Sequence, residues 1–361
     1  MKFSLFCLAT LLLSCLCYGA EQRDLRLNQL QWLGSHNSYK LRLSEQSYAL
    51  AQAHGVGVAA LKYGHPTLAA QLDLGLRHLE IDVLADPKGA LYAAPLMEQW
   101  QGKVLLSDAE RAQLTQAGFK VMHMPDVDFA SHCLLLSDCL QQLRHWSDQH
   151  PQHAPVMVLI NAKESGIAEG VKPPRWQAQD YQQFDQLLLS ALPGKLLTPD
   201  QLRQPGLTLR QSVLQHGWPA LAQSRGKFIF IFDGQPEQLQ LYRQQHASLQ
   251  GRVMFGSYAE DQPEAAVLVL NDPTQDFAKI QRLSKAGFLI RTRSDEGNVF
   301  SKARFDQALA SGAHIISTDF YRGALQFSAN PQAEPQHLFD NNSFVRCHYV
   351  VCDKATASVE E

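Results

Sequence analysis

Polar residues suited to catalysis stand where three apolar segments of the sequence end. They are two histidines, one asparagine and two carboxylates, namely His36, Asn37, Glu80, Asp82 and His123. Imidazole titrates closest to neutral pH and therefore suits acid–base catalysis. Carboxylate and amide oxygens are the ligands that hard divalent cations prefer. Together these residue types could perform metal-assisted cleavage of a phosphodiester, provided that the fold brings them together.

The two carboxylates are predicted to lie side by side. Because side chains alternate along a strand, Glu80 and Asp82 point to the same face, about 7 Å apart. Two buried carboxylates would repel each other and lose hydration, and a cation would remove both penalties. With Asn37 and Asn161 as neutral oxygen ligands, the set favours Ca²⁺ over Zn²⁺ or Fe²⁺. The alternative is that the carboxylates form ion pairs with basic side chains, of which the sequence offers Arg77 and Lys163.

Further polar side chains end the later strand-like segments. Asn161 and Lys163 share one face of a predicted strand. The basic side chains Lys163, Arg291 and Arg293 are candidate donors to a phosphate group. Asp319 could orient His36 from behind or hold an arginine. The remaining histidines lack such neighbours and are interpreted as surface or core residues; they include His54, His65, His78, His132, His145 and His314.

Apolar strand-like segments alternate with helix-like segments along the chain. Near-continuous apolar strands, each followed by a helix, indicate a parallel sheet covered by helices. About eight such units in roughly 300 residues favour a closed (β/α)8 barrel over an open doubly wound sheet, with catalytic groups at the carboxyl ends of the strands. Strands are predicted over residues 30–35, 78–84, 119–124, 156–163, 227–233, 253–257 or 267–271, 288–293 and 314–319. Helices are predicted over residues 66–76, 134–150, 180–192, 211–223, 278–286 and 303–312.

Composition narrows the class of protein. The chain has 361 residues, 45% of them hydrophobic, which is enough for a large core. A formal net charge of -3 gives no support for a nucleic-acid partner. The sequence contains neither a glycine-rich nucleotide-binding motif nor a G-x-S-x-G elbow, so nucleotide cofactors and serine hydrolase chemistry are not indicated.

Residues 1–20 have the layout of a secretory signal peptide, with Lys2, an apolar run and small residues at the end. We therefore expect export to the periplasm or the medium, and one barrel domain over residues 21–361. The apolar run is shorter than the roughly 20 residues that span a bilayer. We expect a monomeric mature chain without a transmembrane segment.

Four cysteines follow the leader as two closely spaced pairs. In an oxidising compartment this arrangement predicts the disulfides Cys133–Cys139 and Cys347–Cys352. A zinc site is the alternative, although neither pair has C-x-x-C spacing.

Several motifs resemble those of phosphoinositide-specific phospholipase C, most closely the exported microbial group described as calcium-dependent. Residues 35–39 (Ser-His-Asn-Ser-Tyr), residues 76–83 and His123 carry the likeness in the catalytic half. It extends over nearly all of the mature chain, through residues 121–128, 146–150, 217–221, 287–295 and 311–321. The resemblance implies a distorted (β/α)8 barrel that cleaves phosphatidylinositol to diacylglycerol and an inositol phosphate at a membrane surface. It puts calcium ligands on Asn37, Glu80 and Asp82, and catalytic histidines on His36 and His123.

The sequence departs from this family at one expected ligand. Where the better-studied calcium enzymes end the fourth strand with a glutamate, Asn161 stands here, and Glu164 follows three positions later. Either residue could complete the metal shell. If Asn161 does, the site carries less negative charge and should bind Ca²⁺ more weakly.

We expect catalysis by attack of the inositol 2-hydroxyl on a phosphorus atom near Ca²⁺. His36 or Glu80 would take the hydroxyl proton, or His36 would stabilise phosphoryl charge, while His123 would protonate the leaving oxygen. Two other functions stay open at this point. One is a glycerophosphodiester phosphodiesterase or sphingomyelinase-D-like enzyme on the same barrel, and the other is a non-catalytic barrel that binds lipid or inositol.

Overall fold

A computed structural model describes residues 25–324, 339 and 343–348 of the chain. The strands within these ranges are β1 Leu30–Ser35, β2 His78–Asp86, β3 Gly118–Val121, β4 Val156–Lys163, β5 Phe228–Asp233, β6 Phe255–Gly256, β7 Val267–Val269, β8 Leu289–Arg293, β9 Ile315–Thr318 and β10 Val345–Cys347. The helices are α1 Glu45–Ala53, α2 Leu68–Asp73, α3 Leu96–Gln101, α4 Asp108–Leu114, α5 Leu136–Gln149, α6 Ala178–Ala191, α7 Pro199–Leu202, α8 Leu209–His216, α9 Leu221–Ser224, α10 Pro236–Arg243, α11 Phe277–Ala286 and α12 Lys302–Ala310. Short 3-10 turns lie at Leu27–Gln29, Ala59–Leu61 and Ala247–Leu249.

Eight parallel strands form a nearly closed barrel in the order β6-β5-β4-β2-β1-β9-β8-β7. A parallel bridge between Ser257 and Val267 joins the two ends of this order. The predicted (β/α)8 barrel is therefore confirmed. Two further strands, β3 and β10, add antiparallel to β2 and β1 and distort the regular architecture.

The barrel strands differ from the prediction at two places. Residues 119–124 were predicted as a barrel strand, but β3 runs antiparallel to the end of β2 and leaves His123 in the loop that follows. Conversely, residues 253–257 and 267–271 were predicted as alternatives, and both contribute short barrel strands. The two differences offset each other, which is why the total of about eight strands is correct.

The helix predictions hold except at one position. Residues 211–223 were predicted as one helix, but α8 ends at His216 and α9 begins at Leu221. Gly217 adopts a positive φ of 74°, a conformation that glycine accepts without strain, and ends α8. In α5 the apolar residues that recur with helical spacing form one buried face, and Leu136, Leu140 and Leu143 on this face pack against the barrel.

A close approach between β1 and β2 sets the first catalytic segment against the second. Gly34 pairs with His78, and a Cβ atom at position 34 would lie 2.3 Å from the His78 Cβ atom. Glycine is required here because any side chain would push the strands apart. The residues after Gly34 and after His78 therefore enter the barrel mouth side by side.

The Cys133–Cys139 disulfide is present, as predicted from the spacing. Cys352, which was predicted to pair with Cys347, lies outside the described residues, as does the leader predicted over residues 1–20. No helix in the described part of the chain is long and apolar enough to cross a membrane.

Candidate active site

Polar side chains from five barrel strands converge at the carboxyl ends of these strands. A cavity of about 240 Å³ lies there, lined by Glu80, Asn161, Lys163, Asp233, Asn271, Arg291 and Arg293 among others. The carboxyl ends of parallel strands are the usual place for catalytic groups in such barrels. The clustering expected from the sequence is therefore present in three dimensions.

Glu80 and Asp82 point to the same side of β2, and Asn161 on β4 connects them. The register pairs Asp82 with Asn161. Asn161 Nδ2 donates to Glu80 Oε1 at 2.9 Å and to Asp82 Oδ1 at 3.0 Å. One amide nitrogen thus occupies a position from which two carboxylate oxygens can be reached.

A basic side chain contacts the remaining oxygen of each carboxylate. Arg291 Nη2 donates to Glu80 Oε2 at 2.5 Å, and Lys163 Nζ lies 3.1 Å from Asp82 Oδ2. The ion pairing that the sequence left as an alternative is therefore correct for Lys163. Arg77 instead donates to two backbone carbonyls at the other end of the strand.

The surrounding charges decide the pKa of Asp82. Burial acts to raise this pKa, but the charges of Lys163 and His123 and the hydrogen bond from Asn161 together lower it. The charge of Asp82 in turn raises the pKa of Lys163 against the effect of burial. The pair is therefore ionised at neutral pH.

His36 lies immediately after β1 and is held by several polar groups. Its Nδ1 atom is 3.3 Å from Asp319 Oδ2, 3.3 Å from Tyr63 Oη and 3.5 Å from Arg293 Nη2. Its Nε2 atom lies 3.8 Å from Glu80 Oε1. Burial lowers the pKa of His36, and Arg293 lowers it further, against the opposing effect of Asp319. At neutral pH the imidazole is therefore available as a proton acceptor.

Asn37 is positioned by a left-handed backbone conformation, with φ of 47°. Asparagine tolerates this region better than most residues. Its Nδ2 atom donates to Tyr63 Oη at 2.7 Å, which leaves the amide oxygen as the atom suited to a cation. Asn37 and His36 therefore share Tyr63 as a common support.

His123 lies near enough to Asp82 for its charge to lower the pKa of that carboxyl, and it is oriented by another buried carboxylate. Its Nδ1 atom is 2.8 Å from Asp128 Oδ2. The other oxygen of Asp128 lies 3.1 Å from Lys40 Nζ, and both side chains of this ion pair are fully buried. His123 therefore has one nitrogen fixed by Asp128 and the other available to a ligand.

Asp319, which was predicted to orient His36 or to hold an arginine, contacts His36 at 3.3 Å and Arg293 at 3.9 Å. Sequence analysis missed the other residues that support the two histidines. His65, interpreted as surface or core, is buried and its Nε2 atom lies 2.7 Å from the His36 carbonyl oxygen and 3.5 Å from Asp319 Oδ1. Tyr63 and Asp128 stand in segments without strand or helix periodicity, so no local pattern indicated them. Asp233 ends β5 as the strand prediction required, and burial raises its pKa to about 6.

Glu164, the alternative to Asn161, is turned towards its own loop. Its Oε1 atom accepts a hydrogen bond from the Trp176 backbone N–H at 2.7 Å. Of the two residues, Asn161 is the one in contact with both Glu80 and Asp82.

The donor set fits Ca²⁺ by its chemistry. Within the described ranges there is no group of three or more His, Cys, Asp or Glu side chains that could hold a metal ion. The available ligands are instead the carboxylates of Glu80 and Asp82 and the amides of Asn37 and Asn161, of which Asn161 contacts both carboxylates through its nitrogen. Carboxylate and amide oxygens suit Ca²⁺ and not Zn²⁺. Rotation of the Asn161 amide by half a turn would bring its oxygen to the side of Glu80 and Asp82 where its nitrogen now lies.

Comparison with known proteins identifies related sequences and folds. Residues 25–348 match the family described as phosphoinositide phospholipase C, Ca²⁺-dependent. A calcium-dependent phosphoinositol-specific phospholipase C from Pseudomonas sp. is 16% identical, with a TM-score of 0.57 over 91% of this chain and 97% of that one. A Ca²⁺-dependent phosphatidylinositol-specific phospholipase C from Streptomyces antibioticus is 19% identical, with a TM-score of 0.54 over 81% of this chain and 94% of that one. None of the curated proteins matches the chain.

Proposed function

The chain belongs to the Ca²⁺-dependent phosphoinositide phospholipase C family, and from this premise we propose which of its residues cleave phosphatidylinositol. The protein is a phosphodiesterase, and the reaction yields diacylglycerol and an inositol phosphate. The observation that carries the assignment is the junction of His36, Glu80 and Asn161 at the barrel mouth, where Glu80 Oε1 lies within 3.8 Å of the imidazole and 2.9 Å of the amide.

His36 acts as the general base. Its Nδ1–H donates to Asp319, so Nε2, which lies 3.8 Å from Glu80 Oε1, keeps the lone pair that can accept a proton. Glu80 is the weaker candidate because its two oxygens are already held by Arg291 and Asn161. The base takes the proton of the inositol 2-hydroxyl as that oxygen attacks phosphorus, and a cyclic inositol phosphate forms.

His123 acts as the general acid. Asp128 accepts a hydrogen bond from Nδ1, which leaves Nε2 to donate a proton to the leaving oxygen of diacylglycerol. When water later opens the cyclic product, the two histidines exchange roles.

Asn37, Glu80, Asp82 and Asn161 would hold Ca²⁺. When bound, the ion supplies positive charge to a phosphoryl oxygen and to the attacking hydroxyl. Further positive charge for the phosphate comes from Lys163, Arg291 and Arg293. Of the two arginines, Arg293 has the more exposed side chain.

Export and action at a lipid surface are part of the proposal. The leader pattern of residues 1–20 and the Cys133–Cys139 disulfide support an oxidising compartment outside the cytoplasm. The substrate is a membrane lipid, so the barrel mouth must face a bilayer. We propose a monomer, in which a single chain supplies all of the catalytic residues named here.

The test is release of water-soluble inositol phosphate from phosphatidylinositol vesicles, with Ca²⁺ or with a chelator. Wild type should be active with Ca²⁺ and inactive with chelator, and His123→Ala should lose at least about a hundredfold in rate. His145→Ala is the matched control because this exposed histidine lies on the outer helix α5. Activity of His123→Ala at the level of the control would remove His123 from the mechanism, and activity in chelator would remove Ca²⁺.

A further inference from the structure

We propose that Lys163 is a displaceable counter-ion of the metal site, so that Ca²⁺ and the phosphate of the substrate bind cooperatively. In the absence of Ca²⁺ the Lys163 ammonium neutralises Asp82. When Ca²⁺ binds, the ammonium leaves Asp82 and becomes available to a phosphate. This inference rests on the proposed function and adds a coupling between its two ligands.

The first observation is that the carboxylates already have cationic partners. Arg291 lies on Glu80 Oε2 and Lys163 lies on Asp82 Oδ2, so two positive charges match two negative ones. The other two oxygens, Glu80 Oε1 and Asp82 Oδ1, accept hydrogen bonds from the neutral Asn161 amide and would be the ones to bind a metal ion. A divalent cation added to this neutral cluster would meet uncompensated repulsion unless one resident cation moves away.

The second observation is that the two resident cations differ in freedom. The Arg291 side chain is only 2% exposed and also donates to Asn271. The Lys163 side chain is 32% exposed and lines the cavity together with Arg293. Lys163 can therefore swing into the cavity on its flexible stem, whereas Arg291 is fixed by packing and by two acceptors.

The third observation concerns Asn161. Its amide nitrogen presently satisfies both carboxylates, where a carboxylate ligand would repel them. The neutral amide makes the cluster stable without a metal ion, and it supplies no charge to attract one. Because Asn161 adds no negative charge, the affinity for Ca²⁺ depends strongly on whether the Lys163 ammonium stays on Asp82 or moves away.

Cooperativity follows from these three points. An ammonium displaced from Asp82 loses its ion-pair partner at 3.1 Å, and a phosphate that enters the cavity offers it a new one. Because coupling between two ligands is reciprocal, phosphate must strengthen Ca²⁺ binding by the same factor by which Ca²⁺ strengthens phosphate binding. Without Lys163 this part of the coupling is lost.

The experiment measures the dissociation constant of Ca²⁺ by isothermal titration calorimetry, with and without myo-inositol 1-phosphate. For wild type, myo-inositol 1-phosphate should tighten Ca²⁺ binding by about tenfold, within the usual range of coupling between sites. For Lys163→Met, Ca²⁺ alone should bind about tenfold more tightly than to wild type, and the effect of myo-inositol 1-phosphate should fall below about threefold. Lys163→Arg keeps the charge and should behave like wild type.

Lys302→Met is the matched control, because Lys302 also pairs with an aspartate but lies on the exposed face of α12. It should leave both dissociation constants unchanged. A Lys163→Met protein that binds Ca²⁺ no more tightly than wild type, or that keeps the full effect of myo-inositol 1-phosphate, would overturn the inference. If wild type meanwhile binds Ca²⁺ and cleaves phosphatidylinositol, only the counter-ion role fails; if it does neither, the proposed function fails with it.

Discussion

Replacement of Asp128 by asparagine should separate the catalytic role of this carboxylate from its structural role. Asp128 contacts His123 Nδ1 at 2.8 Å through one oxygen and Lys40 Nζ at 3.1 Å through the other. The variant keeps the shape of the side chain but removes its charge. We expect both a slower reaction and a less stable protein.

The loss of stability can be estimated from the buried ion pair. Removing one partner of such a pair typically costs about 3–5 kcal/mol, because the other charge is left in the interior. Lys40 retains two backbone carbonyls at 2.8 Å, from Leu61 and Tyr63. Burial also lowers the pKa of Lys40, which lessens the cost of leaving this side chain without its carboxylate partner. The loss should therefore lie at the low end, about 3 kcal/mol.

The loss of activity has a different cause. The asparagine cannot stabilise a positively charged imidazole as a carboxylate does, and its amide can rotate and misorient His123. A positioned general acid accelerates a reaction by about 10²–10⁴-fold, so we expect the rate of Asp128→Asn to fall about a hundredfold. It should not fall below the rate of His123→Ala, which lacks the imidazole altogether.

The double variant Asp128→Asn/Lys40→Met distinguishes the two effects. It removes the stranded charge, so urea denaturation should show recovery of most of the lost stability. Release of inositol phosphate should stay about a hundredfold slow, because His123 still lacks its carboxylate. If the double variant recovered the wild-type rate together with its stability, Asp128 would have only a structural role.

Three further outcomes are expected. Gly34→Ala should destabilise the protein by about 3 kcal/mol in urea denaturation, since the new Cβ atom would lie 2.3 Å from the His78 Cβ atom; wild-type stability would contradict the close approach of β1 and β2. Burial lowers the pKa of His153 from its ordinary 6.5 to about 4, so at a pH between these two values the unfolded chain binds more protons than the folded chain. The melting temperature should therefore fall as the pH is lowered from 6.5 to 4, and this fall should be smaller for His153→Gln. Glu164→Gln should leave the calorimetric dissociation constant of Ca²⁺ unchanged because its oxygen is engaged by the Trp176 amide, and a weaker constant would make Glu164 a ligand.

Strand prediction from the sequence succeeded where apolar runs were long. The predicted strands 30–35 and 156–163 match β1 and β4 residue for residue. It failed at 119–124 because periodicity does not reveal whether a strand joins the barrel or folds back against its edge. Pairing partners and direction depend on the packing of the whole sheet.

The sequence by itself determined which chemical groups face the barrel mouth. Strand alternation puts Glu80 and Asp82 on one face, and the strand ends carry His36 and Asn161 into the same region. These features are local, because the period of a strand and the place where an apolar run stops can be read from neighbouring residues.

Only the tertiary structure decided which groups became partners. Arg291 reaches Glu80 across 211 positions of sequence, and His65 reaches Asp319 from a loop without periodicity. The sequence offered Arg77 and Lys163 as equivalent partners for the carboxylates, and only Lys163 contacts Asp82. Such choices depend on the register between distant strands, which the packing of the complete barrel fixes and no local pattern specifies.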